Sequence, residues 1–433
     1  MPKAARLLNV NFVLLWQGQI VSLAGTSLSR IALTLWIAEA TGSPTLMGTI
    51  MMVASLPGLV MVPLGGVFAD RCSRKNVLVC CDLVNGGLAV LLGAAIYAAA
   101  ESLKLAIAAV LLASLGMSVA DSLFVPAVNA FIPDLVPSEK LLAANAFSNT
   151  SIQVAGLAGK VAGGALYRLL GAPLILLADG ITFLASAISE SFIREPRSPK
   201  EKSVPPTPKN FLAEAKEGLA YIWARPGLWA AVLVSAGLHF FLEPLFVLLP
   251  FYVRDPRYLG ASADWYGYIL AGFGIGTLTG FWLASLLAKG AQGRRTVPLV
   301  IGSQAAAGVG IALMGYLLHP VAILALMTGI GFLFGMAGNF LSTVLQTGVP
   351  NEVRGRVLAV ATTLAMSLAP LAMGLGGVMA DRLGRIDLIL AGCGLALAGG
   401  APATATMGSY RRFLAGEERD EAEESQPAAA VPG

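Results

Sequence analysis

Charge is scarce in this sequence. Across 433 residues, Asp, Glu, Lys and Arg together make up 12%, and there are 2 His. Soluble domains carry about 25% charged residues, so most of this chain is unsuited to water. Cysteine is scarce too: Cys72, Cys80, Cys81 and Cys393. None has metal-ligand or CxxC spacing, so they read as packing residues and no metal site is expected. The phosphate-cradling GxxxxGK[ST] loop, the HExxH zinc helix and the GxSxG nucleophile turn are all missing. ATP hydrolysis, metalloprotease and serine-hydrolase chemistry therefore have no residues to carry them, and no enzyme or cofactor is expected. The net charge is only +4, and the basic residues form no stripe, which argues against a nucleic-acid partner.

Apolar residues and glycine are abundant: 56% of the chain is hydrophobic and 49 residues are Gly. Mean hydropathy is +0.74. A membrane span takes about 20 apolar residues, and the runs here are too long for barrel strands. The pattern predicts an all-α membrane protein with twelve spans, at 11–38, 45–69, 76–98, 104–127, 146–168, 173–193, 228–253, 265–288, 297–318, 321–345, 357–380 and 387–407. The first run is too long for a cleaved signal and reads as a retained span. Gly159 with Gly163, and Gly272 with Gly276, have the small-xxx-small spacing that lets helices approach in lipid.

With the N-terminus inside, roughly 21 of the 29 Lys and Arg fall on the cytoplasmic side, the asymmetry that orients membrane proteins. Both termini are then cytoplasmic. The divisions expected are an N-terminal six-helix bundle (1–193), a cytoplasmic linker with an amphipathic helix (194–226), a C-terminal six-helix bundle (227–408) and a disordered acidic tail (409–433). Pro196, Pro199, Pro205, Pro206 and Pro208 make the linker extended. In the amphipathic helix, Phe211, Leu212, Leu219, Ile222 and Trp223 are expected to face lipid, and Glu214, Lys216 and Glu217 water.

The chain also repeats itself. Val136-Pro137-Ser138-Glu139 returns as Val349-Pro350-Asn351-Glu352, and Gly163-Gly164 returns as Gly376-Gly377, at the same offset of 213 positions. A duplicated bundle is the architecture of a secondary transporter, with its substrate site between the repeats.

The loop Gly66-Val-Phe-Ala-Asp70-Arg71-Cys-Ser-Arg74-Lys75 reads physically as a helix-terminal clamp, with Asp70 able to pair with a cation on a neighbouring helix end. It resembles the signature loop of the major facilitator superfamily, with Phe68 in place of Leu and Ser73 in place of the second Gly. Ile132-Pro133-Asp134-Leu135-Val136-Pro137, Ala144-Asn145-Ala146 and Arg354-Gly355-Arg356-Val357 resemble the drug:proton antiporter branch that includes macrolide and siderophore exporters. The resemblance implies two pseudo-symmetric six-helix bundles that alternate access to a central cavity in the plasma membrane. It also implies a monomer and proton-coupled efflux of small amphipathic molecules. Gly66, Asp70, Arg71, Arg74, Lys75, Arg354 and Arg356 would form the conformational clamp. Three positions depart from the branch: Gly159-Lys160 stands where Gly-Pro is usual, Thr26 follows Gly25 in place of Asp, and Asn85 stands where an Arg often follows Asp82. Import, lysophospholipid transport, and a passive facilitator or channel remain alternatives within the membrane reading.

The ionisable residues read as lying well inside the apolar runs are Arg30, Lys160, Asp179, His239 and Glu243. A charge at mid-bilayer costs about 2.5–3.5 kcal/mol on insertion scales, so such residues face a wet cavity or a partner. Arg30 and Glu243 are also 213 positions apart, which places them at equivalent points of the two halves and, across a pseudo-twofold axis, opposite each other. Snorkelling of Arg30 and a headgroup position for Asp179 are the bland alternatives. His239 and Glu243 share a helix face and together can carry a proton, although a hydrogen-bonded core histidine explains His239 equally well. Arg30 with Lys160 would favour an anionic or zwitterionic substrate. Gln17, Gln153 and Asn339 complete the expected pathway, with interhelical hydrogen bonding as the plainer reading.

Overall fold

The computed structural model describes residues 9–71, 73–98, 102–194, 208–288 and 296–417, and the side chains among these except 60–71, 208–212, 288 and 352. The side chains of Gly66, Asp70 and Arg71, most of the linker and the tail from 418 on lie outside that description. The described chain forms α1 (Val10–Thr41), α2 (Pro44–Arg71), α3 (Arg74–Tyr97), α4 (Leu103–Leu135), α5 (Leu141–Ser191), α6 (Pro208–Trp223), α7 (Pro226–Arg254), α8 (Ala263–Ala288), α9 (Thr296–Met314), α10 (Pro320–Gly348), α11 (Asn351–Met366), α12 (Ala369–Leu383), α13 (Ile386–Ala405) and α14 (Gly408–Ala415). Ten helical segments among the described residues are long and apolar enough to cross a bilayer. One of them, Ser138–Ser191, holds two crossings, and α2 is a further 28-residue helix, which is consistent with twelve.

Local sequence sets the helix ends. Asn9 accepts a hydrogen bond from the Phe12 amide, and Ser73 and Ser102 cap α3 and α4 in the same way. Gly42 and Gly384 end α1 and α12 in the left-handed conformation that a Cβ disfavours. Gly171, at φ 72° and ψ 167°, interrupts α5. The interruption reverses the chain. Along α1, Ser27 and Ile31 meet Gly159 and Gly163 in parallel order, whereas Gly18 and Gly25 meet Ser186 and Asp179 in antiparallel order. The two predicted spans 146–168 and 173–193 are thus the limbs of one hairpin, with Gly171 at its corner.

Other expectations shift. The predicted span 357–380 is divided at Ser367–Leu368 into α11 and α12, and α4 continues past 127 to Leu135 with Pro126 and Pro133 inside it. The amphipathic α6 does not simply float on lipid. Ile222 is fully buried, Gly218 packs against the Arg356 carbonyl, and Glu217 binds Arg356 at 2.7 Å. The segment assigned to a disordered tail from 409 begins with α14, whose Tyr410, Phe413 and Leu414 are buried.

The chain divides into two compact units, Met1–Pro206 with Leu249–Ala271, and Thr207–Leu248 with Gly272–Gly433. This division crosses the expected boundary between the bundles. The reason is close packing. Gly164 abuts the backbone of Ala263 and Asp264, Gly267 abuts the Lys160 carbonyl, and Arg254 pairs with Glu39 at 2.9 Å. The stretch 249–271 is therefore held by α1 and α5. In unit 1, Phe12, Leu15, Leu78 and Phe131 form an apolar cluster at the end of the unit bearing Asn9. In unit 2, α8 and α10 touch backbone to backbone at Gly276 and Gly331, and α9 meets α13 at Gly308 and Gly394. Lipid tails are as apolar as leucine, so close packing of small residues holds such helices together.

Candidate functional site

Unit 1 contains a track of polar side chains that runs from an accessible face to a dry interior. Arg30 on α1 pairs with Asp121 on α4 at 3.6 Å, and the two side chains are 73% and 45% exposed. A charge pair on such a face would be costly against acyl chains, so this face of α1 and α4 borders water. Asp121 also accepts a hydrogen bond from Asn85 Nδ2 on α3 at 3.1 Å. One turn away, Asp82 is 1% exposed and has Ser186 and Asp121 as neighbours. Glu190, one turn after Ser186 on the second limb of α5, is fully buried and within electrostatic reach of Asp82.

Asp179 does not sit at a headgroup. It is 3% exposed, packs against Gly25, and accepts from Thr182 Oγ1 at 3.2 Å. The structure thus gathers Arg30 and Asp179 in one neighbourhood with Asp121. Lys160 lies close enough to Arg30 for the two cations to repel. Asp82, Asp121, Asp179 and Glu190 outnumber these two bases, so the expected attraction for an anion is not what this interior offers. The sequence reading missed Asp82, Asp121 and Glu190 because it searched span centres for isolated charges. Asn85 was the available signal: an amide in place of a cation beside Asp82.

The remaining pathway residues of unit 1 divide. Gln17 Nε2 donates to Ser189 Oγ at 3.0 Å and ties α1 to α5, the plainer role foreseen for it. Gln153 is exposed on the first limb of α5. Of the clamp residues, Arg74 reaches Asp134 and the Ala130 carbonyl, and Lys75 donates to the Ile193 carbonyl, so both fasten the Asn9 end of unit 1.

Unit 2 offers a different feature, a cavity of about 300 Å³ among α7, α8, α9 and α10. Phe273, Phe334 and Leu242 supply apolar wall, and His239, Thr277, Ser303 and Gln304 supply polar atoms. His239 Nδ1 lies 2.8 Å from the Ser235 carbonyl. A carbonyl only accepts, so Nδ1 carries a proton in this contact. The hydroxyls of Ser235, Thr277 and Ser303 donate to carbonyls one turn back on their own helices. Gln304 is 4% exposed, and its Oε1 finds no hydrogen-bond partner among the described residues. The cavity carries a few polar side chains on an otherwise apolar wall.

Asn339 is structural: it donates to the Phe281 carbonyl and to Ser285 Oγ, stitching α10 to α8. Arg354 binds the Val349 carbonyl, and Arg356 binds Glu217, so these two clamp residues hold the α11 end of unit 2. Glu243 is half-buried on α7, and Pro244 beside it packs against Gly376.

The sequence profile of the Major Facilitator Superfamily matches residues 15–373. Macrolide efflux protein A of Streptococcus pyogenes is 24% identical over 380 residues, covering 87% of this chain and 90% of that protein. Multidrug efflux pump Tap of Mycolicibacterium fortuitum is 26% identical over 372 residues, covering 83% of this chain and 87% of Tap. Among solved structures, a bacterial homologue of the iron transporter ferroportin in its inward-facing state superposes with a TM-score of 0.72 at 14% identity, covering 91% of this chain and 98% of that one. A variant of the nucleoside transporter NupG gives 0.70 at 15% identity, covering 91% and 99%. At these identities the superpositions show the fold.

Proposed function

The chain belongs to the Major Facilitator Superfamily, and we propose that it works as a monomer in the plasma membrane, with both termini cytoplasmic, exporting small amphipathic molecules in exchange for protons. The observation that carries the substrate class is the cavity of unit 2. Its wall is largely apolar, with His239, Thr277, Ser303 and Gln304 as polar members. Its complement is an apolar body bearing a donor, an amine or a hydroxyl. The efflux relatives support the direction of transport.

The coupling step rests on Arg30 and Asp121. A proton on Asp121 removes the negative partner of Arg30 while leaving the Asn85 contact in place. States that differ in how they hold Arg30 then change in relative population. The proton shifts them only by its differential affinity, tenfold for each 1.4 kcal/mol or so. Glu243, one turn from His239 on α7, is the second candidate carrier.

Inside-out vesicles loaded with a fluorescent amphiphilic amine test this reading. Uptake into the vesicles that rises with an imposed proton gradient is expected. Flux in the opposite sense identifies an importer, and gradient-independent flux identifies a facilitator. Asp121→Asn should uncouple transport while exchange survives. Uncoupling by Glu243→Gln instead moves the proton to α7. His239→Phe should weaken amine binding about tenfold or more through loss of a polar group in the cavity wall.

A further inference from the structure

Glu190 is the most anomalous group in unit 1. It is fully buried, and neither carboxyl oxygen finds a hydrogen-bond partner among the described residues. Asp82 beside it is 1% exposed with Oδ2 unpartnered. Ser186, 1% exposed, lies against Asp82 with its hydroxyl within reach of that carboxylate. Helix packing fixes this arrangement. Gly86, one turn along α3 from Asp82, abuts Phe183 and the Gly180 carbonyl, while a Cβ at Gly18 on α1 would stand 2.8 Å from Ser186 Oγ. The faces bearing Asp82 on α3 and Ser186 and Glu190 on α5 are thus pressed together with α1 as a third wall.

Two ionised carboxylates in such a place would each carry a desolvation penalty of several kcal/mol and would repel each other. The other titratable groups facing them do not relieve this. They are Cys81 on α3 and Asp121 on α4, one a thiol and the other an acid. From α1 the polar group reaching this stretch of α5 is the neutral amide of Gln17, which donates to Ser189 Oγ. Lys75 donates to the Ile193 carbonyl, beyond Glu190 at the Asn9 end. Bound positive charge is what the pair lacks, and a path to it exists. Asp121 stands at the accessible face, Asn85 bonds to Asp121, and Asp82 follows one turn along α3.

We propose that Asp82 and Glu190 form a buried proton-binding site, loaded from the neighbouring Asp121, and that this site holds the coupling proton while Asp121 acts as its entrance. The inference rests on the proton-coupled reading above and deepens it. The proton passes from water to a carboxylate oxygen of Asp121, then to a carboxylate oxygen of Asp82 in the pair, leaving Asp121 ionised again, and it returns by the same two acids in reverse.

The test uses the purified full chain in lipid nanodiscs and in vesicles. Dicyclohexylcarbodiimide attacks protonated carboxyls in apolar surroundings, and peptide mapping reads the modified residue. Labelling of Glu190 or Asp82 in the wild-type protein, undiminished by sodium, is expected. Protection by sodium at constant pH would assign the site to a metal cation and overturn the proposal, as would absence of labelling at both residues. Asp82→Asn and Glu190→Gln copy the protonated acids in shape. Both should keep the melting temperature while gradient-driven efflux falls by about tenfold or more. A lowered melting temperature with intact coupling would mark the pair as structural and sink the idea. Should either variant fail to fold, labelling of the wild type and its response to sodium decide alone. Wild-type efflux without gradient dependence would refute proton-coupled export itself, and the labelling would still decide whether the pair binds a proton.

Discussion

The two units treat polar groups in opposite ways. Unit 1 buries Asp82, Asp179 and Glu190 and places them behind the Arg30–Asp121 pair, to which Asn85 is hydrogen-bonded. Unit 2 keeps its cavity nearly free of charge, and its hydroxyls are satisfied on their own helices. The contrast teaches that a duplicated bundle need not duplicate its chemistry. The repeat preserves turns and close helix contacts. The charges that distinguish the halves are superimposed on it: Asp121 has Phe334 at the position 213 further on, and Glu190 has Ala403.

The contrast can be broken most severely at the scaffold. Gly276 faces the Thr328 carbonyl with no room for a side chain. Gly276→Leu should abolish the folded yield in detergent size-exclusion, since overpacking costs about 1–3 kcal/mol even where neighbours can give way. Gly329→Ala, in open space on α10, should leave melting within about 0.5 kcal/mol of the parent. The next largest effect belongs to the charges. Asp121→Ala leaves Arg30 without its partner, and proton-driven efflux should fall by about tenfold or more with substrate binding nearly unchanged. Equal loss of binding and coupling would erase the division of labour between the units.

A smaller effect sharpens the view of unit 2. Asn339→Leu removes two hydrogen bonds between α10 and α8. Stability should drop by about 1 kcal/mol, with amine affinity intact in a fluorescence titration. The smallest concerns the loop after α7. Arg257 donates to the Asp255 carboxylate and holds its pKa below the usual range. A depressed carboxylate pKa adds stability above the unfolded value, near 3.9, and that stability is lost as pH falls through the folded value. Asp255→Asn should therefore match the parent in the most acidic melts and fall below it by a few tenths of a kcal/mol at neutral pH, the scale of a surface pair.

Much of the architecture was readable from the chain. Long apolar runs and glycine spacing were enough for the helical class, because lipid allows few other solutions to the backbone. Gln17 and Asn339 bond as interhelical polar groups do. The site was less accessible. Asp82 and Glu190 are within about nine residues of helix ends at Arg74 and Ser191, where a carboxylate in a sequence reads as interfacial. Burial shows otherwise, because α1, α3 and the second limb of α5 close over both residues.

Sequence alone determined that this chain must live in a membrane and fold as helices, since those properties follow from composition and local pattern. Tertiary structure decided which charges meet. Arg30 found Asp121 rather than standing free, the stretch 249–271 joined unit 1, and two distant carboxylates came together in a dry interior. Those outcomes depend on which helix faces pack through glycine, a choice made by contacts between residues far apart in the chain.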